Sequence, residues 1–480
     1  MRGIILIIMW LSLGALAQAQ GPDVVIYPRP REDTTLAVAN FIPRTVATQE
    51  VQSFADSFNQ ALWQDLEFSA FFEMPSKSFY PLKPLRFPID VNFDNWQVPT
   101  LDADFLIFGN LQVDRSLAMV EAYLYDIKTH QQVLGKRYTV SDSSLIQRVA
   151  HEFADQVVFH LSAGTSQGVA RAQIAFTSLK GGSKEIYIMD YDGGNQRSIT
   201  ANGGLNKFPD WSVDNKALAF VTTLPGIPRW ELWIQNLAGG RVVMPVPSSY
   251  VSSPAFSPDG EKIAFSGRLP DRQDAGVYVA NIDGTGLRNL SNNPAIDTSP
   301  TWSPTGQQIA FISDRTGSPQ LWVMDADGSN VQRLVTEGGH CDSPNWSPDG
   351  RFIVYSWQAP TQWKHDIYVL EVATEKIFQL TSSRGDNENP HWSPDGRHIA
   401  FQSTRTGTKQ IFVMNADGKN LRQVTAYGVN ESPAWAGYAV AEELEEELLE
   451  EAGEAGTEQT QETGETQELE ETLEEIKRTE

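Results

Sequence analysis

The amino-acid sequence predicts a mainly β protein, in which a small α/β domain precedes a six-bladed β-propeller and a disordered acidic tail follows it. Three observations predict this. A motif recurs every 44 to 46 residues in the second half of the chain, the two ends of that region carry complementary halves of the motif, and helix-period apolar spacing is absent from the repeats but present in the residues before them.

In chain order, the first element is a leader. Arg2 precedes an apolar run from Ile4 to Leu16, and Ala15-Leu16-Ala17 or Ala17-Gln18-Ala19 supplies small residues at the spacing a signal peptidase reads, so residues 1–19 read as a cleavable signal peptide, with the mature chain beginning near Gln18 or Gln20. The run falls short of the roughly 20 apolar residues a membrane span needs, and no comparable stretch follows, so the mature chain is expected to be exported and not membrane-spanning. No cysteine near the cleavage site offers a lipid anchor.

Residues 20–164 are expected to form an N-terminal α/β domain. Val51, Phe54, Phe58, Leu62 and Leu66 share one helical face, as do Leu145, Val149, Phe153, Val157 and Leu161. Between them, Asp104 to Val113, Leu117 to Asp126 and Gln132 to Val140 read as consecutive strands, with Leu36 to Phe41 a further member of the same sheet. The proline-rich stretch Pro75 to Pro99 reads as loop. Small polar residues at 162–168 read as a linker.

Residues 165–438 carry the repeat. Its copies are PDWSVDNKALAF from Pro209, PAFSPDGEKIAF from Pro254, PTWSPTGQQIAF from Pro300, PNWSPDGRFIVY from Pro344 and PHWSPDGRHIAF from Pro390. Each unit reads as four short strands, with Ser-Pro-Asp-Gly as the turn between the first two and Gly supplying a positive φ. The first apolar triplet, Ile174-Ala175-Phe176, has no Pro-x-Trp before it, and the last Pro-x-Trp, ending at Trp435, has no triplet after it. Six blades result if the final segment supplies the missing strand of the first, closing a ring that leaves no long free sheet edge.

Residues 439–480 form the tail. Glu442 to Glu480 holds seventeen acidic residues against Lys477 and Arg478, a net −15 that leaves −9 of the chain's −24 for everything before it. Such a segment buries too little apolar surface to fold alone. No basic stripe is available for a nucleic acid, so that partner class is set aside. Cys341 is the single cysteine, which excludes an internal disulfide and reads as a small buried filler.

Binding is expected where the loops between blades gather. The residues ahead of each Pro-x-aromatic segment fall on a ring at one mouth of the channel, and they include Lys207, Phe208, Tyr250, Ser253, Thr298, His340, Asp342, Asn387, Glu388, Asn430 and Glu431. Small polar and acidic side chains with aromatic anchors at Phe208 and Tyr250 suit a wet protein interface. His340-Cys341-Asp342 lacks the further ligands zinc requires, so no metal is expected, and no P-loop or dinucleotide fingerprint calls for a cofactor. The Gly-x-Ser-x-Gly match at Gly164 to Gly168 follows a helix and has no hydrolase domain around it, so no catalytic residue is assigned there. An enzyme acting on an envelope glycan or peptide through Asp342, Glu388 and Glu431 is the competing reading.

The leader, the segments LQVDRSLAMVEAYLYDIKTHQQVLGKRY and LIQRVAHEFADQVVFHL, and the repeats of WSPDG and IYxMxxDG type together resemble the TolB family over Val24 to Tyr438. The resemblance implies a monomeric, non-enzymatic periplasmic scaffold of the Tol–Pal envelope system, supporting outer-membrane integrity and cell division. It also implies that a Pal-like outer-membrane lipoprotein occupies the propeller mouth and that a TolA-like inner-membrane protein binds the mature N-terminal arm, here Val24, Val25, Ile26 and Tyr27. An arm that adds a strand to a partner's sheet and an edge strand of the chain's own domain are both compatible with these four residues. The acidic tail departs from the family pattern.

Overall fold

The computed structural model describes residues 34–438 apart from 45–47, 115–116, 141–144, 228, 247–249, 270–273 and 383–384. The signal segment, the arm Val24 to Tyr27 and the acidic tail lie outside the described residues.

In the N-terminal domain, β1 (Leu36–Val38) and β2 (Ile42–Pro43) both run parallel to β3 (Phe105–Asp114), which continues as an antiparallel meander into β4 (Leu117–Asp126) and β5 (Gln131–Val140). Helices α1 (Gln49–Phe68) and α2 (Ile146–Leu161) cover one face, with Thr48 capping α1 through its hydroxyl to the Val51 amide. Phe58 and Phe153 meet Phe41 there, between the helices and the sheet. The stretch read as loop from Pro75 to Pro99 is irregular but not idle. Three short 3₁₀ turns carry Leu85 and Trp96 onto the other sheet face, against Leu106 and Phe108 of β3. The unbroken Phe-Leu-Ile-Phe run of β3 is the sequence trace of this burial on both faces.

The repeat region forms four separate four-stranded sheets and one eight-stranded sheet, which divides at a single parallel pairing, Lys184 with Leu205, into two four-stranded units. The innermost strands are Leu205–Trp211, Tyr250–Phe256, Asp297–Trp302, His340–Trp346, Asn387–Trp392 and Val429–Trp435. Each touches the next, and the last touches the first, so the units close into a ring of six among the described residues. Closure follows the complementary ends: Trp435 pairs with Ile174 and Ala434 with Ala175. The second strands bring Phe176, Phe220, Phe265, Phe311, Tyr355 and Phe401 into full burial. Each contributes about 1.5–3 kcal/mol by area. Two of the recurring tryptophans staple the seams, Trp211 and Trp302 donating their indole N–H to Ala434 and Ala255 of the preceding unit at 3.1 and 3.2 Å. Cys341 is fully buried, and burial pushes its thiol up to about 12.

The end of α1 docks on the face of the ring that carries the Ser-Pro-Asp-Gly turns. Phe68 stacks on His398 at 4.0 Å, Arg397 lies 3.5 Å from the centroid of Phe71, and Asp65 accepts from Tyr191 at 2.6 Å while pairing with His151 at 2.7 Å. The 162–168 segment is a closed joint and not the free linker its composition suggests. Ser162 Oγ donates to the Phe159 carbonyl and accepts from the Ser166 amide, both at 3.1 Å. Gly168, at φ +81°, leaves no room for a side chain, because a Cβ would lie 2.1 Å from the Asp155 carboxylate. That carboxylate in turn holds the Ala170 amide and the Arg171 guanidinium.

Candidate functional site

Each inner strand carries the same distortion. Phe208, Ser253, Ser299, Ser343, Asn389 and Ser432, each directly before a proline, adopt φ between 48° and 54°, and the ladder to the second strand slips at that point. A non-glycine residue in this region is strained, a bulky one such as Phe208 most of all. The slip is a β-bulge that turns the six prolines and their neighbours inward around a channel cavity of 110 Å³. Side chains knit part of this belt: Ser343 Oγ donates to Asn389 Oδ1 and Asn389 Nδ2 donates to Ser432 Oγ, both at 2.8 Å. Asp210 and His391 line the same cavity. Burial pushes the Asp210 carboxyl up to about 7 and the His391 imidazole down to about 4.

Above the belt lies the open mouth, on the face opposite α1. Two residues ahead of each proline the inner strands present Lys207, Ser252, Thr298, Asp342, Glu388 and Glu431, and within each unit that residue corresponds to one at the start of the third strand, namely Trp230, Ala275, Pro319, His365 and Lys409, each just ahead of it, and Lys184, just inside it. Glu388 accepts from Lys409 at 3.0 Å and from Gln402 at 2.7 Å, and Glu431 pairs with Lys184. Burial acts to raise the Glu388 carboxyl, but the Lys409 ammonium and the Gln402 amide outweigh it and hold the group below its ordinary range. His365 lies between Glu388 at 3.8 Å and Asp386 at 3.9 Å, edge-on to His340. Asp342 accepts from Ser299 Oγ at 3.2 Å.

Of the residues the sequence placed here, Tyr250 and His340 are exposed, and Lys207, Thr298, Asp342, Glu388 and Glu431 are half-buried at the rim. Phe208 and Ser253 sit lower, on the channel wall. Asn387 and Asn430 are corrections. Both are fully buried, because they fall one step along the strand from the rim positions and so point the opposite way. Asn387 accepts from Ser403 and Arg405 and donates to Asp366, and Asn430 bridges Ser178 and Gln410, so both lock strands together. The sequence reading missed Lys184, His365 and Lys409, whose signal was their place one residue ahead of the polar residue that opens each IYxM-like strand. It also missed Trp363 and Tyr427, which stand 94% and 84% exposed in loops on this face. Among the described residues, no group of three or more His, Cys, Asp or Glu is placed to hold a metal ion.

A family model described as the TolB β-propeller domain matches residues 163–365 and 339–441. The Tol-Pal system protein TolB of Desulfosudis oleivorans is 33% identical over 298 residues, which is 61% of this chain and 65% of that protein. A protein TolB homolog of Chlorobium luteolum is 30% identical over 229 residues, 47% of this chain and 50% of its own length. The chain thus spans less than two thirds of the length of both relatives. The crystal structure of TolB from Acinetobacter baumannii shares the fold, with a TM-score of 0.71 at 22% identity over 85% of this chain and 98% of that one.

Proposed function

Because the chain belongs to the TolB β-propeller family, we propose that it is a periplasmic, non-enzymatic scaffold of the Tol–Pal system, receiving a Pal-like outer-membrane lipoprotein at the propeller mouth. In this reading a TolA-like inner-membrane protein is held by Val24, Val25, Ile26 and Tyr27, and the two attachments together support outer-membrane integrity and division. One observation carries the proposal: the ring has two faces, α1 occupies one, and the other presents Tyr250, His340, Trp363 and Tyr427 around a belt of polar side chains. Exposed aromatics over a polar floor are the composition of protein interfaces. Of the carboxyls assigned to the competing glycan or peptide enzyme, Glu388 is held ionised by Lys409 and Glu431 is paired with Lys184, which disfavours these two as proton donors.

The test is capture of the soluble domain of the same organism's Pal-like lipoprotein by the full chain. Binding is expected for the wild type and lost on Thr298→Tyr or Asp342→Arg at the rim. Undiminished binding by both variants overturns the assignment of the mouth. Turnover of an envelope glycan or peptide that Asp342→Asn abolishes overturns the scaffold.

A further inference from the structure

The mouth is built six times over, so a departure in one copy can be read against the rest. In two adjacent units the rim pairs an inner-strand acid with a third-strand base, Glu388 with Lys409 and Glu431 with Lys184. In the next unit around the ring this order is reversed. The inner strand carries a cation, Lys207, and the place of its counter-charge is taken by Trp230. The Lys207 ammonium lies 5.9 Å from the Trp230 ring centroid, and it makes no hydrogen bond or ion pair among the described residues. It is half-buried, and its proton affinity is lowered first by burial and also by the neighbouring charges of Lys184 and Lys409, while the Glu431 carboxylate, itself paired with Lys184, pulls the other way. An ammonium drawn partly out of water is costly without a bonded counter-charge of its own, and a carboxylate already bonded to Lys184 together with an aromatic face at this distance compensates only in part.

From this reversal we infer that Lys207 and Trp230 form a receptor for a carboxylate, an Asp or Glu side chain of the protein that docks at the mouth. The carboxylate meets the Lys207 ammonium, and the apolar surface flanking it lies on the Trp230 indole. Two neighbouring features fix its place. The Glu431–Lys184 pair closes one side with its own charges satisfied, and Ser252 in the following unit offers no competing charge on the other. A charge-assisted contact of this kind steers association and selects orientation more than it adds bulk affinity, and salt weakens it. The inference rests on the docking proposed above and adds the chemistry of one contact within it.

The experiment is a titration of the full chain with the soluble Pal-like domain at low and moderate salt, comparing wild type, Lys207→Met and Lys207→Arg. Lys207→Met is expected to bind about tenfold more weakly with a flatter salt dependence, and Lys207→Arg to stay within about threefold of wild type. Wild-type binding that Lys207→Met leaves within twofold, with the same salt dependence, overturns the receptor while the docking reading stands. Should the wild type not bind the domain at all, the docking reading fails, and a hexaglutamate peptide then decides the receptor. A change in tryptophan fluorescence lost in both Lys207→Met and Trp230→Leu supports it, and no change in either the wild type or a chain lacking residues 439–480 overturns it. If a response to either ligand, absent in the full chain, appears once residues 439–480 are deleted, the carboxylate comes from the chain's own acidic tail, and an external source is overturned.

Discussion

The two faces of the propeller are made from one repeat, yet one is closed and the other open, and each shows where a copy departs from its siblings. On the closed face, the second residue after the Ser-Pro-Asp-Gly turn is Lys262, Gln308 and Phe352 in three units and His398 in the last. His398 is fully buried, stacked on Phe68, and its Nε2 donates to the Phe68 carbonyl at 2.7 Å. Beside it, Arg422 pairs with Glu67 at 3.2 Å. The departure is explained by α1, which lies on it. On the open face the comparable departure is Lys207 with Trp230, and no side chain among the described residues bonds to the Lys207 ammonium. The position held by His398 varies among the other units as well, so what marks the contact there is not variation as such but a residue whose burial and bonds only the packed helix explains.

The largest effect tests the closed face. Asp65→Ala removes the acceptor for Tyr191 and the partner of His151 from a fully buried site, where burial raises the Asp65 carboxyl against the pull of both. Two polar groups are left unsatisfied, so urea unfolding should show a loss of about 3 kcal/mol. A loss below about 1 kcal/mol would break the contrast between the faces.

The channel joining the faces gives the second prediction, in pH. Asp210, pushed from 3.8 up to about 7, binds its proton more tightly when folded, so its contribution is complete below 3.8 and is lost as pH rises through 7. His391, depressed from 6.5 to about 4, binds its proton less tightly when folded, so its contribution is complete above 6.5 and is lost as pH falls through 4. Between about 4 and 6.5 the two oppose each other. Asp210→Asn keeps an acceptor for the Phe256 amide and removes one of them, so stability should fall with acidification in that window by up to about 1.4 kcal/mol per pH unit more steeply than in the wild type. Unfolding midpoints at pH 4.5, 5.5 and 6.5 measure it, and identical slopes would refute the opposition.

A smaller effect sharpens the role of α1. His398→Gln restores the residue that another unit carries as Gln308, while sacrificing the ring stacking on Phe68, and should cost about 1 kcal/mol together with easier proteolysis at the joint. If the variant is as stable and as resistant as the wild type, the departure at 398 does not serve domain docking.

Much of this architecture was legible because the repeat states it openly. The Pro-x-Trp copies, the orphan triplet at Ile174 and the orphan tryptophan at Trp435 fix closure without any knowledge of space. The N-terminal strands and helices were visible in their periods. What escaped were features whose meaning depends on neighbours. Ser162, Ser166 and Gly168 have linker composition, but the two serines close on each other and the glycine fits against Asp155, and no property of the segment alone distinguishes a solvated serine from a bonded one. At the mouth, alternation along the strand separates Glu388 from Asn387 and Glu431 from Asn430, and it was available in the sequence. Lys184, His365 and Lys409 were harder to find: their place ahead of the polar residue of each IYxM-like strand recurs in the sequence, but they belong to the third strand of the unit, and the folded sheet is what brings them beside the first.

The least perturbing change examines the mouth itself. Glu388→Gln removes a charge from the Lys409 pair at a half-buried rim site and keeps a carbonyl oxygen to accept from Gln402. The folded carboxylate titrates below its ordinary value, so its contribution is present at neutral pH and fades as pH falls below about 4.5. Rim ion pairs contribute little, so the variant should unfold within about 1 kcal/mol of wild type at pH 7 and converge with it in acid. The same substitution frees the Lys409 ammonium beside Lys207, which should strengthen the pull on an incoming carboxylate and raise the salt dependence of docking. A stability loss as large as that of Asp65→Ala would instead mean that the mouth is a structural face like its opposite, with no surface left over for a partner.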